Sequence, residues 1–312
     1  MFSFRKWLVT SVTLLSISFF FHYAARNFEN IPPLNWNTTS TLIALFSVTL
    51  IVCSISIVGT IWNMLLRDNG ISTSWKQAQI IFAIAQFGKY LPGNVGQHVG
   101  RVVMAREIGI PVPITLSTML VEMLWGAGIG AGLAVLSLIL FIDGQALGLQ
   151  FLLSPIHLGI GVVFLLFMPW LGIGFLNRYL PGLAKRLSGG AMITVPRLRT
   201  ALMVAVLFLL CFAVMGLILK LQAQWFFGVT EGSVFKLTCL FAIAWLAGYI
   251  VPGAPGGLGV REAMMVLVLS PVLGAGAAVG LGVTLRVTTT MGDAAAFLLG
   301  IIGHRLMTSK HY

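Results

Sequence analysis

Residues 42–66 contain no Asp, Glu, Lys, Arg or His. That run is longer than the roughly 20 apolar residues a helix needs to cross the hydrocarbon core of a bilayer. Residues 114–141, 156–176 and 201–219 are similarly apolar. With 9% charged residues and a mean hydropathy of +0.98, against roughly 25% charged in an average soluble domain, the chain is an integral membrane protein. Runs this long call for helices rather than the short alternating strands of a barrel. The expected fold is all-α: a polytopic transmembrane helical bundle forming one integral membrane domain over 1–312.

About six full spans are expected. Arg5 and Lys6 followed by residues 7–21 resemble a signal peptide, but His22-Tyr23-Ala24-Ala25 is a poor cleavage site, so the segment reads as the first span. The second to fifth are residues 42–66, 114–141, 156–176 and 201–219. A final segment starts at Pro271 and reaches about residue 306, as one helix or two. The third span carries Gly126, Gly128, Gly130 and Gly132, a small-residue ladder suited to close packing in lipid.

Two further apolar stretches, 78–91 and 234–251, are shorter, and each runs into the same phrase. Pro92, Gly93 and Gly96 are followed by Arg101. Pro252, Gly253 and Gly256 are followed by Arg261, with Gly257 and Gly259 between. The pattern P-G-x-x-G-x4-R thus recurs 160 residues on. Short hydrophobic segments interrupted by Gly and Pro, at corresponding places in two halves, mark the binding sites of transporters. Each stretch is therefore expected to be a re-entrant hairpin.

The same offset carries the second span onto the fifth and the third onto the last, giving repeat halves of roughly 1–150 and 151–312. Three full crossings separate the hairpins. That odd number makes them enter from opposite faces, as an inverted repeat. With both termini cytoplasmic, fourteen Lys and Arg lie on the cytoplasmic side and four on the other, Arg286 remaining in the membrane. This agrees with the positive-inside rule. The net charge of +11 therefore reports topology and anionic lipid rather than nucleic acid.

The chemistry available is electrostatic. A turn at membrane depth exposes backbone N–H groups at the start of the return helix, a natural anion site. Arg101 and Arg261 add guanidinium forks suited to phosphate; kinked helices with snorkelling arginines are the plainer alternative. Glu122, Glu262, Arg286 and Asp293 lie at or near membrane depth, where charge costs about 2.5–3.5 kcal/mol. They form either a polar path for a headgroup or structural ion pairs joining the hairpins to the third and last spans. Lys89 and Tyr90 are candidates for the entrance, or snorkelling interface anchors.

Cys53, Cys211 and Cys239 read as packing residues. The histidines are dispersed, with His98 alone inside a motif, so no metal site is expected. No nucleotide, metalloprotease or hydrolase signature occurs. No catalytic residue and no cofactor is assigned; a membrane-embedded transferase would have to use Glu122, Glu262 and Asp293.

Residues 87–96 with Arg101, and Pro255-Gly256-Gly257-Leu258-Gly259-Val260-Arg261-Glu262-Ala263, resemble the two signature stretches of the lysylphosphatidylglycerol synthase transmembrane region. This is the flippase-like domain of the multiple peptide resistance factor, which also occurs as stand-alone membrane proteins. The resemblance implies a polytopic inner-membrane protein that moves lipids between leaflets or assists the handling of lipid-linked sugars. It also implies that aminoacyl-lipid synthesis belongs to a separate soluble domain, so a stand-alone, non-enzymatic member is expected.

The expected function is a flippase or transporter of a phosphate-bearing lipid in the cytoplasmic membrane, with anionic-headgroup lipids as its partners. The alternative is a non-catalytic membrane partner of a cell-envelope glycosyltransferase or polysaccharide assembly system. It would dock through Arg178, Lys185, Arg186, Arg197 and Arg199.

Overall fold

The computed structural model describes residues 32–90, 96–141, 155–251 and 257–308, with the isolated positions 22 and 25; for 155–160 and 162–166 it describes the backbone only. The expected first span, the loop 142–154 and the turn residues Pro92, Gly93, Pro252, Gly253 and Gly256 lie outside the described residues.

All regular structure among the described residues is helical. The helices are α1 (Thr38–Asp68), α2 (Trp75–Gln86), α3 (Gly96–Glu107), α4 (Val112–Phe141), α5 (Pro155–Tyr179), α6 (Pro181–Leu187), α7 (Leu198–Phe227), α8 (Val234–Ile250), α9 (Val260–Leu273) and α10 (Ala275–Thr308). Of these, α1, α4, α7 and α10 are long and apolar enough to cross a membrane. α5 covers the expected fourth span. The protein is thus a polytopic helical bundle.

Adding 160 to α1, α2, α3 and α4 lands on α7, α8, α9 and α10, to within a few residues at each start. The packing follows the same rule. α4 packs on α8, and its counterpart α10 packs on α2. α1 meets both α2 and α10, as α7 meets both α8 and α4, and α1 packs on α7 itself. Each half thus lays its last long helix against the short helix of the other.

Local chemistry supports the arrangement. Asn37 caps α1 by accepting from the Ser40 amide at 2.9 Å. Ser74 and Gln77 form a reciprocal capping box at the start of α2, and Ser233 caps α8 through the Lys236 amide at 3.2 Å. Such caps satisfy donors that lipid would leave unpaired. Trp62 of α1 donates Nε1–H to Thr118 of α4 at 3.1 Å. The offset counterpart of Trp62 is Gln222 of α7, which donates to Thr288 of α10 at 2.8 Å and accepts from Thr284 at 3.0 Å. A ring in one half and an amide in the other tie the same two helices together.

The short helices have their own logic. α2 has 12 residues and α8 has 17, so at about 1.5 Å per residue they reach only about 18 and 26 Å, short of a hydrocarbon core about 30 Å thick. α2 runs into a 3₁₀ turn, Phe87–Tyr90, before α3 begins. At Gly88 an added Cβ would lie 2.6 Å from the Gly96–Gln97 backbone, so the turn folds directly over the start of α3. In the second half Gly257, at φ +72°, lies against the Gly248 backbone of α8.

The expected final segment needs correction at its start. Pro271 does not open it but sits in the last turn of α9. Gly274, at φ +84°, is the break. A proline near a helix end forfeits one hydrogen bond, whereas a left-handed residue redirects the chain. Beyond it α10 is a single helix of 34 residues.

Candidate functional site

α1, α2, α4, α7, α8 and α10, with the starts of α3 and α9, surround a cavity of about 410 Å³. Six pairs of lining residues are related by the 160-residue offset: Ile51 and Cys211, Ile55 and Met215, Lys89 and Tyr249, Gln97 and Gly257, Arg101 and Arg261, Gly126 and Arg286. The cavity therefore sits where the two halves meet. Its wall toward α1, α7 and α8 is apolar, with Ile51, Ile55, Phe208, Phe212, Met215 and Trp245. At Gly130 an added Cβ would lie 3.1 Å from both Phe212 and Trp245, so glycine lets these rings close against α4. Trp245 stacks on Tyr249 at 4.8 Å between centroids.

The charged side chains of the lining come from the 3₁₀ turn, α3, α4, α9 and α10. Arg101 of α3 makes a bidentate pair with Glu122 of α4, Nη1 to Oε2 at 2.7 Å and Nη2 to Oε1 at 3.2 Å. Its guanidinium also lies 4.4 Å from the Phe82 ring and 5.2 Å from the Trp62 ring. The side chains of Arg101 and Glu122 are only 5% and 10% exposed. A charge at this depth persists only when paired, and here two hydrogen bonds and two ring faces hold it.

Asp293 of α10, 3% exposed, binds two groups from the other half. Lys89 Nζ lies 2.7 Å from Oδ2 and donates to Oδ1 at 2.8 Å, and the Tyr90 hydroxyl donates to Oδ2 at 2.5 Å. Both side chains thus reach inward to α10. Two turns earlier on α10, Arg286 pairs with Glu262 of α9 at 3.4 Å and lies 5.9 Å from the Tyr90 ring. Glu262 accepts the Gly259 amide at 2.7 Å, fixing the first turn of α9. α10 is thus the joint between the two motif copies, fastened to one through Asp293 and to the other through Arg286.

Arg261 differs from all of these. It lines the cavity from the first turn of α9. Its Nε, like that of Arg101, is buried without a hydrogen-bond partner; what sets it apart is that the ion pairs found among the described residues leave it without a carboxylate within 4 Å. His98 also faces the cavity, with Nδ1 buried and unpartnered.

The structure thus gathers every charged candidate read from the sequence into or beside one cavity, Glu262 lying in an adjoining recess with Arg261 and Arg286. Of the glycines expected in the turns, Gly96 starts α3, while Gly257 and Gly259 lead into α9. The cavity-lining aromatic residues Trp245, Tyr249 and Phe212 were not singled out from the sequence. The offset offered a signal for one of them, since it carries Lys89 onto Tyr249. Cys211 lines the cavity, Cys239 is buried and Cys53 is exposed, so the packing role expected of all three holds in the interior for Cys239 alone. Among the described residues no group of three or more His, Cys, Asp or Glu could hold a metal ion.

Fold and site together define a multi-pass membrane protein with a charged cavity at the centre of a helical bundle. The chain belongs to the lysylphosphatidylglycerol synthase TM region family, which it matches over residues 7–296. No curated protein matches it in sequence. The match bears out the resemblance of the two motif stretches and ties the protein to membrane lipid.

Proposed function

We infer that this protein is a lipid transporter of the cytoplasmic membrane, not an enzyme, and that it carries a phosphate-bearing lipid between leaflets. The observation that carries this reading is the bipartite cavity. Its lining combines charged side chains with the apolar Ile51, Ile55, Phe208, Phe212, Met215 and Trp245, the two kinds of surface that an anionic lipid needs. Ligand sites of a few hundred Å³ with a few convergent polar groups are the usual form of such pockets, and ionisable groups at membrane depth mark substrate paths.

In this reading α2 with α3, and α8 with α9, are two re-entrant hairpins entering from opposite faces. Rocking of one half against the other exposes the headgroup to each leaflet in turn. The lengths of α2 and α8, the recurrence of the helices at one offset and the reciprocal packing of α4 on α8 and α10 on α2 support it. Three of the basic residues counted for topology, Lys89, Arg101 and Arg261, line the cavity and so do not report sidedness. The remaining count of twelve against three still favours cytoplasmic termini.

The basic segment offered for docking a glycosyltransferase is exposed at all five bases. It is interleaved with exposed Tyr179, Leu180, Leu183 and Leu187, a pattern that favours an anionic membrane surface over a protein partner.

The test is purification in mild detergent followed by native mass spectrometry. A phosphate-bearing lipid retained on the protein is expected. Reconstitution with that lipid should then accelerate its exchange between leaflets above the rate in empty vesicles. Exchange no faster than in empty vesicles, for phospholipids and polyprenyl-phosphate lipids alike, would remove this function.

A further inference from the structure

Four cations and three carboxylates make up the charged layer of the site, and three ion pairs account for all but one of them. Arg101 is matched by Glu122, Lys89 by Asp293 and Arg286 by Glu262. The cation left without a carboxylate within 4 Å among the described residues is Arg261, which feels Glu262 and Asp293 only from a longer distance. His98 is counted neutral at pH 7.

The repeat explains why. Arg101 and Arg261 correspond at the 160-residue offset, and the carboxylate that holds Arg101 is Glu122 on α4. The counterpart of Glu122 on α10 is Gly282. Gly282 lines the small recess beside the cavity together with Arg261, Glu262 and Arg286. Where the first half supplies a carboxylate, the second supplies no side chain. The two carboxylates nearest in the second half are engaged elsewhere: Glu262 accepts the Gly259 amide and faces Arg286, and Asp293 is held by Lys89 and Tyr90.

We propose that the two repeat arginines have divided their roles. Arg101 is a fixed structural clamp, Arg261 alone is the anion anchor, and the site takes a headgroup bearing one negative charge, a phosphodiester rather than a phosphomonoester. A guanidinium at membrane depth with no carboxylate in contact is costly until an anion reaches it. A phosphodiester supplies one charge and two oxygens for the guanidinium fork. A phosphomonoester carries close to two charges above its second pKa of about 6, which leaves one unmatched in the same low-dielectric site. The inference rests on the lipid-transport reading and assigns the charge of its cargo.

The experiment is equilibrium binding to the full-length protein in detergent at pH 8, with three probes: dihexanoyl phosphatidylmethanol, dihexanoyl phosphatidic acid and dimethyl phosphate. The diester lipid is expected to bind the wild type at least about tenfold more tightly than phosphatidic acid, a difference of about 1.4 kcal/mol. Dimethyl phosphate, without chains for the apolar wall, is expected to bind more weakly than the diester lipid. Arg261→Gln should weaken the diester lipid at least about tenfold and Arg261→Lys by less, while the doubly neutral Arg101→Gln/Glu122→Gln stays within about threefold.

Absence of binding by either lipid to the wild type would overturn the lipid reading itself. Binding by the wild type with equal loss in Arg261→Gln and in the double variant would leave that reading standing and overturn the division of roles. Phosphatidic acid binding as tightly as the diester would overturn the single-charge assignment. Dimethyl phosphate matching the diester lipid would keep the anchor at Arg261 and remove the lipid. Circular dichroism and thermal unfolding of each variant identify one that fails to fold, and Arg261→Lys, which keeps the charge, then decides the assignment.

Discussion

Arg101 and Arg261 stand at the same place in the same phrase, and both line the same cavity. One is locked by two hydrogen bonds to Glu122 and enclosed by Trp62 and Phe82. The other has no carboxylate within 4 Å among the described residues, and the matching position on α10 is Gly282. The sequence carries one cationic phrase twice, and the helix packed near each copy differs in what it offers that cation. In the first half α4 brings a carboxylate and ties α3 to itself. In the second half α10 brings a glycine there and spends its own charges, Arg286 and Asp293, on fastening both copies.

The sharpest way to break this comparison is to remove Glu122. Glu122→Gln leaves Arg101 buried and unpaired, and should cost about 3–5 kcal/mol, read as a fall in thermal or denaturant stability of the detergent-solubilised protein. A loss below about 1 kcal/mol would show that Arg101 is not clamped as described. Asp293→Asn should cost less, about 2 kcal/mol, because it weakens the Lys89 pair and one Tyr90 hydrogen bond while Lys89 keeps some exposure. The same unfolding measurement checks it.

Next in size is the backbone difference between the copies. Gly257 holds φ +72° whereas its counterpart Gln97 lies within α3. Gly257→Ala should cost about 1–2 kcal/mol for placing a Cβ in the left-handed region. Gln97→Ala should stay within about 0.5 kcal/mol. Equal losses at the two sites would indicate that both turns share one backbone conformation. The smallest effect expected on stability is at Arg261 itself. Arg261→Gln removes an unpaired charge from a membrane-depth site, so the apoprotein should be unchanged or more stable by up to about 1 kcal/mol. A loss like that of Glu122→Gln would mean that Arg261 is a structural residue after all.

Much of this architecture is legible in the sequence alone. Among the described residues the long helices were placed to within a few residues, except that the fifth runs on from 219 to Phe227. There the sequence admits Lys220, Gln222 and Gln224, and periodic burial rather than a continuous apolar run keeps the helix going. The doubled phrase pointed to the cavity because the arginines that close it, Arg101 and Arg261, both line that cavity. What the phrase did not reveal is partnership. Lys89 and Asp293 lie 204 residues apart, and only the exchange of long helices between halves brings them together. Pro271 misled as a boundary because proline is the louder signal in sequence, while Gly274 adopts the conformation that redirects the chain. The missing partner of Arg261 was legible in principle, at Gly282, but only once Glu122 was known to hold Arg101.

The most direct measurement is leaflet exchange of a phosphodiester lipid in vesicles carrying equal amounts of wild type, Arg261→Gln and Arg101→Gln/Glu122→Gln. The account predicts exchange by the wild type and by the doubly neutral variant, and exchange at the protein-free rate for Arg261→Gln. Exchange at the protein-free rate for the wild type would contradict the transporter itself. Equal exchange by Arg261→Gln and the wild type would contradict the anchor.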